Sequence, residues 1–267
     1  MKELTLSELK AIELNILKVF DAFCKEHGIR YFLAYGTLLG AIRYGGFIPW
    51  DDDVDVLVPR EDYEKLITLF KDSDRYRLFA FEKDSRYTFP FAKLCDMATL
   101  KDEFEYSNAI ELGVDIDIFP LDAFDSHLKK AKKEVRIIRR NMMFLGFSKL
   151  KKVESANPIK YLAKAFIVAF SKTFGSHYFV RKIQKISYKK EQKGEKYIGC
   201  KVWCVYGDRG IIPADAFASS VSVTFEDMTV PAPAGYDTYL TCLYGDYLPE
   251  PPKEKQKTHH VFRAYRK

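Results

Sequence analysis

The chain opens on helical spacing. Thr5, Leu6, Ser7 and Glu8 fit a capping box, and Leu9, Ile12, Ile16, Val19, Phe20 and Phe23 follow at intervals that predict an amphipathic helix stopped by Gly28. The period then shortens. Residues 29–35, aromatic and β-branched, predict a strand; Gly36 and Thr37 a turn; and 38–42 a short apolar helix broken by Tyr44, Gly45 and Gly46. Pro49 bounds a second strand over 51–58, where Val54, Val56 and Val58 alternate with Asp53, Asp55 and Leu57. Arg60, Glu61 and Asp62 open a helix with apolar positions at Tyr63, Leu66, Ile67 and Phe70. Further strands are predicted at 76–81, 88–94, 99–104 and 114–119, the last carrying Asp115 and Asp117. From 126 to 196 the pattern is helical and basic, and beyond Cys200 it is loop-rich, with Pro231, Pro233, Pro249, Pro251 and Pro252. The order predicts an α+β fold, a mixed β-sheet flanked by helices with a basic helical insertion. Three regions follow: a core over 1–125, a basic helical region over 126–199, and a loop-rich region over 200–267 that packs back on the core.

Composition narrows the class. With 267 residues, 47% of them hydrophobic, the chain can build a substantial core and is not disordered. No N-terminal segment has the order of a signal peptide and no apolar run reaches the length of a membrane span, which predicts a cytoplasmic protein. Five scattered cysteines in a chain of this size predict reduced thiols, and Cys200 with Cys204 supplies only half a zinc site. Charge is divided: 129–201 holds 21 Lys/Arg against four Glu, and the remainder 22 against 33 acids. No nucleic-acid-binding motif accompanies the basic region, so nucleic acid is not the expected partner.

The acidic run sets the chemistry. Asp51, Asp52, Asp53 and Asp55 fall within the segment 51–55. A calcium loop counted from Asp51 needs glycine at its sixth position and glutamate at its twelfth; Val56 and Asp62 stand there, and the loop could not turn. A solvated acidic turn is a second reading. In the third, extended backbone points Asp51, Asp53 and Asp55 to one side, where partly buried carboxylates repel unless a cation lies between them. Oxygen-only ligands favour Mg²⁺ or Mn²⁺. The upstream Gly36-Thr37 turn between strand and helix brings backbone N–H groups towards an anion, as in phosphate cradles.

Gly36 with Thr37, then Asp53 and Asp55 alternating with valines, then Ile116-Asp117-Ile118, resemble the nucleotidyltransferase superfamily. More closely, "YGTLLGAIRYGGFIPWDDDVDVLVPREDYEKL", "GVDIDIFPLD" and "YLTCLYGDYLPEPPKEKQKTHH" are similar to the LicD family of phosphocholine transferases, to which the fukutin-related proteins are also similar. The resemblance covers nearly the entire chain. It implies a nucleotidyltransferase-like core over 1–125 and transfer of a phospho-alcohol, typically phosphocholine from CDP-choline, to a hydroxyl of a cell-surface glycan or teichoic acid precursor. By the same resemblance Asp53, Asp55 and Asp117 hold Mg²⁺ (or Mn²⁺), and one of them or Asp51 takes the proton of the attacking hydroxyl. Gly36 and Thr37 lie at substrate phosphate, and Arg43 and Lys93 are candidates to offset phosphoryl charge, each with a surface ion pair as its other reading. The superfamily usually has Ser where Thr37 stands; LicD-like chains share the Thr. Superfamily members commonly attack the α-phosphate, whereas phosphocholine transfer attacks the other phosphorus and releases CMP. Nucleotidyl transfer from a nucleoside triphosphate, transfer from CDP-ribitol, and a membrane-bound scaffold without turnover therefore stand as alternatives.

Aromatic faces hold quaternary ammonium groups, and Tyr31, Tyr35, Trp50, Tyr87, Trp203 and Tyr206 are available, with Trp50 nearest the acids in sequence. His259 and His260 are candidates for contact with substrate phosphate, or a solvated tail. Within the basic region, 159–174 has an apolar body interspersed with Lys160, Lys164 and Lys172. It reads either as a core helix or as a helix in a membrane interface, where 129–201 would associate peripherally with the inner face and reach a lipid-linked glycan acceptor.

Overall fold

The computed structural model describes residues 1–103, 106, 109–188, 195–258 and 262–267. A short strand β1 (Lys2–Glu3) leads into helix α1 (Leu6–His27). The capping box forms as expected: Thr5 Oγ1 accepts the N–H of Glu8, and the Glu8 carboxylate accepts the N–H of Thr5. Gly28, in the left-handed region at φ +61°, closes the helix. Then come β2 (Phe32–Leu33), α2 (Tyr35–Tyr44), β3 (Asp55–Pro59), α3 (Arg60–Leu69), β4 (Tyr76–Phe79), β5 (Ala92–Glu103) and β6 (Leu112–Ala123). Two long helices follow, α4 (Leu128–Lys149) and α5 (Pro158–Ser187), the second interrupted at Gly175, whose φ is +75°. The remainder comprises β7 (Tyr197–Gly199), β8 (Ile212–Pro213), the hairpin of β9 (Ser220–Phe225) and β10 (Met228–Pro233), α6 (Tyr236–Tyr244) and β11 (Phe262–Arg266).

The fold is α+β. Its main sheet runs β1-β11-β5-β6-β3-β2, with β4 also on β5, β7 on β6 and β8 on β7. The β3–β6 pair is parallel and its described neighbours are antiparallel, so the sheet is mixed. Helix α1 packs on β5 and β6, α3 on β3 and β6, and α4 and α5 on each other. Ile16, Leu17, Phe20, Leu33, Leu57 and Ile118, each under 2% exposed, belong to the one main hydrophobic core.

Three local expectations are corrected. The strand predicted over 51–58 begins only at Asp55, because Asp51 donates its N–H to the carbonyl of Ile48 and closes a turn. The strand predicted over 29–35 shrinks to two residues, and Gly36 and Thr37 form the first turn of α2 instead of a turn before it. The strands predicted at 88–94 and 99–104 are one, β5, with a register shift against β6 between Asp96 and Lys101; residue 104 lies outside the described residues. Asp51 and Asp53 consequently do not sit on a strand with Asp55.

The parallel pair is tied at its far end by Arg60, the first residue of α3, whose guanidinium donates to both oxygens of Asp122 at 2.7 and 2.6 Å. Both side chains are largely buried, at 11% and 2% exposure. Asp122→Ala would leave the Arg60 charge enclosed, and is expected to lower the free energy of unfolding by about 3–5 kcal/mol, read as a shifted urea midpoint at constant slope.

Candidate active site

The acidic loop is held from outside its own segment. Lys10 of α1 donates to the carbonyls of Ile48 and Pro49 at 2.9 Å, and Glu226, in the β9–β10 turn, accepts the N–H of Phe47 at 3.0 Å. At the loop's far side Thr37 Oγ1 accepts the N–H of Asp55 at 2.8 Å, which fastens the first turn of α2 to the head of β3. Gly36 leaves room for a close approach: a Cβ there would lie 2.6 Å from Oδ2 of Asp51, which would have to shift. So arranged, Asp51, Asp52 and Asp53 each offer one carboxylate oxygen within 4.8 Å of the others. Asp52, unassigned by the sequence reading, is the most buried of the three.

Asp55 and Asp117 are register partners on the parallel strands β3 and β6. Burial, then the carboxylates of Asp53, Asp117 and Asp51, push Asp55 well above the usual carboxylate range. Across β6, Lys93 of β5 donates to both Asp115 and Asp117, and Lys101 donates to Asp115 at 2.6 Å. Burial would raise both aspartates, but the two lysines hold Asp115 at about 2, whereas Asp117 stays up at about 6. A further acid, Glu13 of α1, is 1% exposed, with one carboxyl oxygen lacking a hydrogen-bond partner among the described residues. Burial, opposed by Lys101 and reinforced by Asp53, Asp115 and Asp52, drives it well above the usual range. This concentration of oxygen donors suits a hard divalent cation, which would relieve the mutual repulsion of the acids.

A cavity of about 710 Å³ opens beside these groups. Asp53, Lys93, Asp115 and Asp117 line one wall, Phe89, Phe91 and Trp203 a second, and Met142, Phe147 and Lys149 of α4 with Lys164 of α5 a third. The basic helices thus form part of the cavity. Lys149 sits 3.4 Å from the centroid of the Phe89 ring, and burial pulls its ammonium down to about 7.

The predicted residues separate accordingly. Asp53, Asp117 and Lys93 line the cavity, and Asp51 and Asp55 interact electrostatically with them from behind. Lys93 is buried between two acids, not a surface pair. Gly36 and Thr37 shape the loop. Arg43 is turned away from phosphoryl chemistry: its guanidinium donates to the carbonyls of Tyr247 and Pro249, anchoring the C-terminal segment. Trp50 packs edge-on to Tyr44 at 6.5 Å outside the cavity, where Trp203 takes the aromatic place, 5.2 Å from Phe91. His259 and His260 lie outside the described residues. Lys101, Lys149 and Glu13 were missed; only Glu13 carried a signal, as an acid on the apolar stripe of α1 between Ile12 and Ile16.

The lipopolysaccharide cholinephosphotransferase LicD of Haemophilus influenzae is 33% identical over 274 aligned residues, which cover 99% of each chain. The chain belongs to the LicD family. The model of the family described as LicD/FKTN/FKRP, nucleotidyltransferase domain, matches residues 28–146, which hold every candidate aspartate and Lys93. Over a shorter stretch, 35 residues or 13% of this chain and 7% of the relative, it is 57% identical to the human ribitol 5-phosphate transferase FKRP. As a LicD-family member the protein is a transferase, and the cavity bordered by Asp53, Asp117 and Lys93 is its candidate active site.

Two outcomes follow from this geometry. In a helix, Gly→Ala ordinarily gains about 1 kcal/mol; Gly36→Ala is expected to show no such gain in a urea titration and to lower turnover, because the new methyl displaces Asp51. Lys149 has a folded value of about 7 against an ordinary 10.5, so the unfolded chain binds the extra proton and stability should rise as pH climbs between these values. Lys149→Met should abolish that rise and stabilise the protein at pH 7 by on the order of a few kcal/mol, measured by urea unfolding across the interval.

Proposed function

We propose that this LicD-family transferase moves a phospho-alcohol, phosphocholine from CDP-choline, onto a hydroxyl of a cell-surface glycan or teichoic acid precursor, with Mg²⁺ or Mn²⁺ as cofactor. One observation carries the reading: carboxylates, a buried lysine and aromatic faces line a single cavity in a chain similar along its whole length to a cholinephosphotransferase. The acids would hold the cation, with Asp51, Asp52 and Asp53 gathered on the loop and Asp55 and Asp117 beside them. Bound there, the cation supplies charge neutralisation on the donor's pyrophosphate.

The chain's own groups account for the rest. Asp53 or Asp117, which line the cavity, would accept the proton of the attacking hydroxyl, with Asp51 and Asp55 interacting with them electrostatically. The hydroxyl oxygen bonds to the phosphorus that carries the alcohol, the bridging P–O bond breaks, and CMP leaves with the electron pair. Lys93 balances the charge of the outgoing phosphate from its position between Asp115 and Asp117. Phe91 and Trp203 present apolar faces to the trimethylammonium head, each worth about 0.5–2 kcal/mol. On this reading 1–125 is a nucleotidyltransferase-like catalytic core, 126–199 a basic helical insertion that walls the cavity, and 200–267 a region that braces the core. The enzyme would work in the cytoplasm at the inner face of the membrane.

The short similarity to a ribitol 5-phosphate transferase favours CDP-ribitol as the second donor to try. Purified protein with Mg²⁺, a glycan acceptor bearing free hydroxyls and either CDP-choline or CDP-ribitol is expected to release CMP only with the true donor, and Asp53→Asn to reduce that release at least about 100-fold with an unchanged circular dichroism spectrum. Release of pyrophosphate from CTP with an acceptor, and no CMP from either CDP-alcohol, would make it a nucleotidyltransferase. Undiminished CMP release by Asp53→Asn would remove the acidic loop from the chemistry.

A further inference from the structure

The N-terminal half of α5 carries an apolar stripe left largely exposed among the described residues, with Phe170 at its edge also touching Phe144 of α4. Of the seventeen large apolar side chains exposed among the described residues, seven lie on this one helix: Ile159, Tyr161, Leu162, Phe166, Phe170, Phe174 and Tyr178. Ile159, Leu162 and Phe166 are 79%, 68% and 74% exposed. Their spacing of three and four, continued by Phe170 and Phe174, puts them on one face. The rings of Phe170 and Phe174, then Phe174 and Tyr178, are each 5.0 Å apart, so the stripe is continuous. Val168 and Ser171, buried, lie on the other side of the helix. A core helix would show the reverse, so the core reading of 159–174 fails.

Charge decides what the stripe fits. The helix Pro158–Ser187 contains Lys160, Lys164, Lys172, Arg181, Lys182 and Lys185 and no acidic residue. A second copy would meet strongly basic surroundings like its own, since 129–201 carries 21 Lys/Arg against four Glu. An anionic lipid surface complements both features, taking the apolar side chains below its headgroups and being attracted by the positive charge of the region around them. Spanning is ruled out for this element: no described helix is long and apolar enough to cross a membrane.

We propose that the N-terminal half of α5 is a membrane-docking element, which lies in the interface of an anionic bilayer through Ile159, Leu162, Phe166 and Phe170. Lys164, on the same helix, lines the cavity. Docking therefore sets the cavity beside the headgroups, so that an acceptor held in the bilayer meets Asp53 and Asp117 without leaving the surface. The docking rests on the exposed face of α5 and not on the identity of the donor.

The test is co-sedimentation of the full chain with phosphatidylcholine vesicles, with and without phosphatidylglycerol, at low and high salt. Wild type should pellet with the phosphatidylglycerol vesicles and less so at high salt. The double substitution Leu162→Glu and Phe166→Glu should weaken partitioning about tenfold or more, whereas Leu248→Glu, the same change at an exposed leucine elsewhere, should not. Both variants should keep the wild-type urea midpoint and the wild-type rate with a water-soluble acceptor. Failure of wild type to pellet with anionic vesicles overturns the proposal, as does equal pelleting by the double variant. A concentration-dependent dimer by light scattering, abolished in the double variant while vesicles are ignored, would assign the stripe to a second copy instead.

Discussion

Like charge gathered at the head of two parallel strands is the constraint around which this protein is built. Asp55 and Asp117 are register neighbours, Asp51, Asp52 and Asp53 crowd the loop beside them, and Asp115 stands two residues behind Asp117 on the same face of β6. Two lysines on the adjacent antiparallel strand make the arrangement tenable. Lys93 faces Asp117 in register and reaches back to Asp115, and Lys101 adds a second cation that hydrogen-bonds Asp115. The outcome is unequal: Asp115 is held at about 2 and Asp117 at about 6, though they share a strand and a lysine and Asp115 is the more deeply buried. The inner acid is neutralised by the protein itself. At the cavity side, burial and the neighbouring carboxylates keep Asp55 and Asp117 above the usual carboxylate range.

Periodicity made legible those elements whose stability is local. The capping box, the stripe of α1, its glycine stop and the apolar positions of α3 all formed where spacing placed them. The loop 51–54 was read as strand because alternation of Asp and Val imitates one, while the contacts that bend it come from far away: Lys10 lies 39 residues before Pro49, and Glu226 is 179 residues beyond Phe47. Arg43 was misplaced for the same reason, its carbonyl partners being more than 200 residues downstream. At Gly36 the structure shows a local steric cause. Its missing side chain makes room for a carboxylate of the protein, which sets the loop geometry before any phosphate is bound.

Amphipathicity alone could not tell which side of α5 is covered. A helix with an apolar stripe packs inward by default, and only the tertiary placement of α5, which leaves Ile159, Leu162 and Phe166 exposed, shows that the stripe faces out. Lys149 illustrates a similar limit. It closes α4 in a run of solvated basic residues, and nothing in its neighbours distinguishes it; the distinction arises from Phe89, which approaches from before β5 and encloses the ammonium. Buried charge depends on tertiary contact, and single-sequence patterns report that only when, as with Glu13, the charge interrupts an apolar stripe.

The cavity joins two parts of the chain with different obligations. Residues 28–146, the portion matched by the family model, contain the acidic loop, Asp115, Asp117, both lysines of β5 and most of the α4 wall; α5 lies beyond them. Groups that must hold carboxylates in register are therefore carried by the sheet, where a shift of one residue would turn Asp117 to the other face. Helix α5 is under no such demand. It contributes Lys164 to the cavity from one side and exposes its apolar stripe on another, so its outer face can change without moving an aspartate. Chemistry and the proposed docking are separable in this architecture because the aspartates stand on the sheet and its loop, whereas the stripe stands on the N-terminal half of α5, a helix that packs against α4.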